Sequence, residues 1–315
     1  MKKYWISGWN RRQGLGRVWV GMDGESRSDL GKDVLRDVSR SFYLTLRALP
    51  AGMRSAVSVG YLLARASDTI ADCEGERGAR LVLLDNFRAA MSGRMEEDFF
   101  EKAAEMAEEK GVKEGERVLL RRLQEVFGWW QSLAEEEGKA VREVVRTITL
   151  GQSWDLERFP EGKVVSLSEG EEVEEYCYRV AGCVGEFWTE IGFGSDPSFS
   201  NKSKEEMRGL GKRFGKGLQL VNILRDKVED EKRGRCYLPG ERSFWLRKAR
   251  GYLEDGLDYS RAVRGRRARL ATVLPALIGL ETLLLLEKAT EEELAEKVKV
   301  GRPVVRRCLW RAIWF

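Results

Sequence analysis

Four aspartates carry the chemistry this chain can do. Asp68 and Asp72 stand four residues apart, as do Asp226 and Asp230, and the two stretches lie about half a chain from one another. Each stretch reads as helix, where residues four apart stack on one face with Cβ atoms roughly 5–6 Å apart. Each face therefore presents two carboxylates to one point. Magnesium is commonly held by one or two carboxylates, with phosphate oxygens and water completing its octahedron. Two such faces opposed across a cavity would grip a diphosphate through magnesium. One pair alone would suit an ordinary solvated helix face, but the repeat favours a metal site.

Basic and amide side chains accompany the pairs. Arg65 precedes Asp68 by three residues, and Arg225 immediately precedes Asp226. One such arginine would suit a surface ion pair, but an arginine ahead of both pairs suits oxyanion positioning, because the guanidinium fork matches phosphate and carboxylate geometry. Gln219 and Asn222 lie just ahead of the second pair, where amides would orient diphosphate or water.

Composition narrows the classes. Hydrophobic residues make up 43% of the 315 and charged residues 34%, a globular balance. With 55 basic and 51 acidic residues the net charge is only +4, so the field expected of a nucleic-acid binder is missing. Histidine is absent, which excludes His-based triads and makes the common zinc sites improbable. Cysteines 73, 177, 183, 236 and 308 form no CxxC pair, and with no signal-peptide pattern they suit a reducing cytoplasm as small buried residues. The apolar stretch Leu270 to Leu286 is interrupted by Pro275 and Glu281 and is expected as a buried core helix, not a transmembrane anchor.

Apolar residues recur at helical spacing through most of the chain, and no alternating strand pattern competes. The expectation is one all-α domain over residues 28–315, with helices near 29–48, 51–75, 76–92, 96–110, 114–135, 138–151, 170–192, 203–230, 241–264, 267–287 and 291–298. Residues 1–27 form a separate extension in which Trp5, Trp9 and Trp19 sit among basic residues and glycines. It reads as a flexible tail or a peripheral membrane contact. The stretch Arg306 to Phe315 has the same mixture and would either touch a membrane or dock on the helical core. Arg261, Arg264, Arg266, Arg267 and Arg269 form the densest basic cluster, which suits a solvated or membrane-facing surface better than a nucleic-acid site.

Arg65 with Asp68-Thr-Ile-Ala-Asp72, Asn222 through Asp230, Ser39-Arg-Ser-Phe42 and Tyr176 through Gly185 resemble the signature segments of the squalene and phytoene synthases. They stand in that family's order and span about residues 28 to 302. The resemblance implies a single-domain isoprenoid-synthase-type helical bundle around a central cavity. It implies metal binding by Asp68, Asp72, Asp226 and Asp230, and places Tyr176 in the catalytic cavity with Arg65 and Arg225. Arg40, Phe42 and Tyr61 would lie along the prenyl pockets. The small-residue segment containing Val180, Val184 and Gly185 would leave room for an isoprenoid tail, permit close helix packing, or both.

The implied reaction joins two allylic prenyl diphosphates, farnesyl diphosphate being favoured, head to head through a cyclopropyl diphosphate. Magnesium and arginine would neutralise the leaving diphosphate, and aromatic faces would shelter the cation left behind. A bacterial-type squalene synthase would then reduce the intermediate with NADPH, whereas phytoene, dehydrosqualene and hydroxysqualene synthases finish without it. Val298-Lys-Val300 resembles a nicotinamide-phosphate segment, which makes Lys299 the cofactor-binding candidate, although no GxGxxG turn is present. The stretch Leu270 to Pro275 lacks phenylalanines found in the eukaryotic reductive enzymes. A non-catalytic helical scaffold is the alternative of another class, and retention of all four aspartates speaks against it.

Overall fold

The structure, a computed structural model, describes residues 29–39, 42–296 and 298–315. The extension at 1–27, Arg40 and the Phe42 side chain lie outside the described residues. After a π-helical turn at Leu30–Val34 come α1 (Leu35–Ser39), α2 (Phe42–Ala48) and the long α3 (Ala51–Asp72). Then follow α4 (Arg77–Met91), α5 (Phe99–Met106), α6 (Glu114–Arg121), α7 (Leu123–Gln131) and α8 (Glu135–Arg158). The second half holds α9 (Gly170–Cys177), a π-helical turn at Tyr178–Gly182, α10 (Cys183–Ser195), α11 (Lys204–Lys232), α12 (Arg242–Ala262), α13 (Arg266–Lys288), α14 (Glu291–Ala295) and α15 (Arg302–Ile313). The expected all-α class is what the chain adopts.

The helices that carry the aspartates differ in how they are fixed. α3 is buried along most of its length, from Met53 through Val59, Leu62 and Leu63 to Ile70, so packing against α8 and α10 sets its position. Its buried Thr69 hydroxyl donates to the Arg65 carbonyl at 2.9 Å, which keeps a polar group satisfied inside the core. α11 begins with a capping box in which Ser203 and Glu206 satisfy each other's backbone N–H groups. It then crosses α10 at very short range. A Cβ on Gly185 would stand 1.9 Å from the Gly211 carbonyl oxygen, and one on Gly215 would stand 2.1 Å from that of Ala181. Only glycine permits this approach.

Two short strands, which no alternation in the sequence announced, tie the loop after α8 to the loop after α11. β1 (Val165–Ser166) pairs in parallel with β2 (Arg235–Cys236). Gly234 precedes β2 at φ +82°, a left-handed conformation that glycine adopts without strain. Further differences lie inside expected helices. The 170–192 helix is widened at Tyr178–Gly182, 114–135 breaks at Arg122, and 138–151 extends to 135–158. α13 continues through Pro275, whose missing N–H and ring clash cost roughly 3 kcal/mol in a helix interior. Burial of Val273, Ala276, Leu277, Leu283 and Leu286 offsets that cost.

Among the described residues α13 alone is long and apolar enough to cross a membrane by length and composition, and 56% of its apolar window is buried in the protein. All five cysteines are free thiols, four of them buried. One large apolar cluster joins α1–α8 to α10, and a second joins α9 and α11–α14. The functional cavity opens where these clusters meet.

Candidate active site

Both aspartate pairs line one cavity of about 460 Å³. α3 contributes Asp68 and Asp72 on one side, and α11 contributes Asp226 and Asp230 on the other. Tyr61, Arg65, Tyr176, Val180, Val184, Gln219 and Asn222 also reach it. The π-helical turn matters here, because widening the helix between Tyr176 and Val184 slows its rotation and lets all three of its lining residues face the same space.

The two arginines ahead of the pairs act differently. Arg65 lines the cavity, donating from Nη1 to Asp68 at 2.8 Å and from Nη2 to Glu116 of α6 at 2.6 Å. Glu116 is buried, so it holds the guanidinium from behind. The Arg65 Nε is buried without a hydrogen-bond partner, leaving one donor of the fork unsatisfied. Arg225 does not line the cavity. It grips Asp226 from behind through two bonds, at 2.6 and 3.1 Å.

The carboxylates repel one another. Burial and the neighbouring Asp72 push Asp68 up to about 7 despite Arg65. Burial likewise pushes Asp230 up to about 7, with Asp226 and Asp155 adding to it against Arg235. Asp72 is raised by burial even with Arg235, Arg65 and Arg233 near it. Asp68 keeps 41% of its side-chain surface, but that surface is cavity wall and does not restore bulk solvation. Such a site has an excess of negative charge that a cation would relieve. Among the described residues no three carboxylate, cysteine or histidine groups converge on one metal position. The two carboxylates that each helix presents are a donor set that fits magnesium completed by phosphate oxygens and water, the usual manner of binding for that ion.

Residues outside the sequence-derived site candidates complete the wall. Asp155 of α8 is buried, accepts from Arg235 Nη1 at 2.8 Å, and accepts from the Tyr237 hydroxyl. Strand alternation turns Arg235 and Tyr237 to the same side, with Cys236 opposite, and the β1–β2 pairing fixes that register. Burial pushes the Asp155 carboxyl up, against the pull of Arg235 and Tyr237. Gln152, one helical turn before Asp155, has a buried Oε1 with no partner and lines the cavity. The signal for Gln152 and Asp155 was two polar residues on the inner stripe of a helix; for Arg235 and Tyr237 it was their i,i+2 spacing.

An aromatic stack backs this wall. Tyr176 and Tyr237 are stacked at 5.2 Å and 18°, with Trp154 5.6 Å from Tyr176 and Phe159 4.8 Å from Tyr237. Burial, with Asp155 adding, raises the Tyr176 phenol well above its ordinary value, so it remains a neutral donor. The remaining candidates fall elsewhere. Gly185 sits in the crossing with Gly211 and does not line the cavity. Lys299 is exposed in the link between α14 and α15, away from the cavity lining.

The sequence profile of the squalene/phytoene synthase family matches residues 35–243, and the chain belongs to that family. A presqualene diphosphate synthase from Zymomonas mobilis is 32% identical over 218 residues, covering 69% of this chain and 62% of that protein. A squalene synthase from Cyberlindnera jadinii is 27% identical over 212 residues, covering 66% and 45%. The chain thus spans about half to three fifths of these curated relatives' length. The solved complex of TcSQS with the ligand E5700 superposes with a TM-score of 0.71 at 21% identity, covering 93% of this chain and 87% of that one, which places the fold alone.

Proposed function

We propose that this protein condenses two farnesyl diphosphates head to head to a cyclopropyl diphosphate and reduces that product to squalene with NADPH. The observation that carries the first step is the convergence of both aspartate pairs on one cavity. Asp68 and Asp72 on one side and Asp226 and Asp230 on the other would hold magnesium, whose charge neutralises a departing diphosphate. Arg65, held between Asp68 and Glu116, adds a fixed positive charge beside the same oxygens.

Ionisation breaks a C1–O bond, the electron pair leaving with diphosphate. The double bond of the second chain then attacks C1, and loss of a proton closes the three-membered ring. Ile148, Leu156, Val180 and Ile223 keep water from the cation. The stacked Tyr176 ring offers it a π-face, an attraction of about 2 kcal/mol when desolvated. Because burial keeps its phenol protonated, Tyr176 would assist ionisation as a neutral group near the leaving diphosphate and would not serve as the base. This arrangement of charged and aromatic groups has no purpose in a non-catalytic scaffold.

A second reading stops at the cyclopropyl diphosphate. Two observations favour it: the 32% identical relative is a presqualene diphosphate synthase, and Lys299, the nicotinamide candidate, lies outside the cavity lining. Mass analysis of products from farnesyl diphosphate and magnesium, with and without NADPH, separates the two. Squalene formed only with NADPH supports the full reaction. Presqualene diphosphate under both conditions supports the shorter one, dehydrosqualene or hydroxysqualene moves the chain to a non-reductive branch, and no product from either farnesyl or geranylgeranyl diphosphate overturns the condensation.

A further inference from the structure

Two features that catalysis leaves unused meet at one edge of the fold. α15 docks on α13 through Cys308 and Ala312, which pack with Val273 and Leu277. Its opposite face exposes Trp310, Ile313 and Trp314, with 66%, 50% and 80% of their surface open. Spacings of three and four residues place these three on one stripe. Large apolar side chains gathered on an outer face mark a contact surface.

Arginines frame that stripe. Arg302 and Arg306 are exposed and make no ion pair among the described residues, and Arg307 and Arg311 share Glu281 of α13 at 3.0 and 3.3 Å. The sequence from Arg302 to Phe315 contains no acidic residue. At the far end of α15 the Phe315 ring lies 5.5 Å from the Arg261 guanidinium, at the close of α12. This contact brings the Arg264–Arg269 stretch to the same edge. Arg264 and Arg266 are exposed, while Arg267 and Arg269 donate to the carbonyls of Ala48 and Val263 and make no ion pair among the described residues. Glu281, Asp258 paired with Arg261, and Asp196, whose carboxyl Arg264 helps to hold down, are the carboxylates this surface meets.

We propose that α15 and the α12–α13 turn form a face that binds an anionic lipid bilayer. Tryptophan favours the headgroup region, where its ring is half buried and its N–H stays wet, and arginines complement the negative surface of such a membrane. The charge of the face repels a second copy of itself. A nucleic acid would meet the same charge, but the tryptophans lie on the outside of a helix with no groove in which bases could stack.

The test is cosedimentation of the full-length protein with phosphatidylcholine vesicles, with and without phosphatidylglycerol, over a range of salt. The expected result is binding that requires the anionic lipid and weakens with salt. It should fall by about tenfold or more in Trp310→Ser/Trp314→Ser and in Arg302→Glu/Arg306→Glu. Both pairs lie outside the cavity lining, so circular dichroism and product formation in detergent should be unchanged; the arginine pair decides the matter if the tryptophan pair misfolds. Binding that persists in both variants, or that ignores lipid charge, overturns the proposal. So does light scattering that shows a lipid-free dimer lost in the variants, or binding to single-stranded DNA lost in them without any vesicle binding.

Discussion

The two aspartate helices present the same spacing to one cavity, yet their supports are built differently. On α3, Asp68 is steadied by Arg65, whose other arm is held by Glu116 from α6, so the support reaches across from a different helix. On α11, Asp226 is gripped by its immediate neighbour Arg225, and Asp230 leans on Arg235 from β2, which is itself anchored to Asp155. The first pair has its arginine in the cavity wall, whereas the arginine of the second stands behind it. The difference points to a division of labour, in which the α3 side meets a diphosphate with cationic charge and the α11 side provides a carboxylate frame backed by arginines.

The largest effects should come from the carboxylates themselves. Asp68→Asn and Asp226→Asn are each expected to lower kcat on the order of 10²–10³-fold, the scale for losing one electrostatic anchor of a transition state. Steady-state product assays at saturating magnesium check this, and a variant that retains full rate would remove its helix from the mechanism. Next, Arg235→Leu strips the buried Asp155 of its cation. Breaking such a pair costs about 3 kcal/mol, so urea unfolding should register a large loss there. Glu116→Gln loosens only the rear support of Arg65. It should cost about tenfold in kcat/KM, a positional loss, with much less change in stability. Equal destabilisation by the two substitutions would erase the distinction between the two supports.

The effect of pH has an informative sign. Asp68 and Asp230 have folded values of about 7 against an ordinary 3.8, so the metal-free folded protein holds their protons more tightly than the unfolded chain does. Their contribution is therefore full below about pH 4 and is lost as pH rises toward 7. Asp68→Asn and Asp230→Asn should raise the metal-free melting temperature above pH 7 and leave it little changed near pH 4. Magnesium with diphosphate should stabilise the wild type and close that gap. Melting temperatures that fall in both variants at high pH would mean that the carboxylates are already compensated without a cation.

Much of this site could be read before any fold was known, because a helix converts a four-residue spacing into a shared face. Asp68, Asp72, Asp226 and Asp230 needed only that geometry, and Arg65, Tyr176, Gln219 and Asn222 followed from their neighbourhood. Arg235 and Tyr237 offered only an i,i+2 spacing, since a two-residue strand is too short to show alternation and its partner lies some seventy residues away in sequence, and Asp155 offered only a polar residue on the inner stripe of a helix. The widened turn at Tyr178–Gly182 has no propensity signature; it answers to the close crossing with α11. Gly185 was compatible with either packing or a ligand, and only its approach to Gly211 decides for packing. The stretch from Arg306 to Phe315 was read as mixed basic and aromatic, either touching a membrane or docking on the core; one of its faces docks on α13 and the other is exposed.

The central claim is that two helices hold one diphosphate site together, and titration calorimetry with inorganic diphosphate tests it most directly. Binding should require magnesium and should vanish in Asp68→Asn and in Asp226→Asn alike. Wild-type binding in either variant, or tight binding without magnesium, would contradict the account.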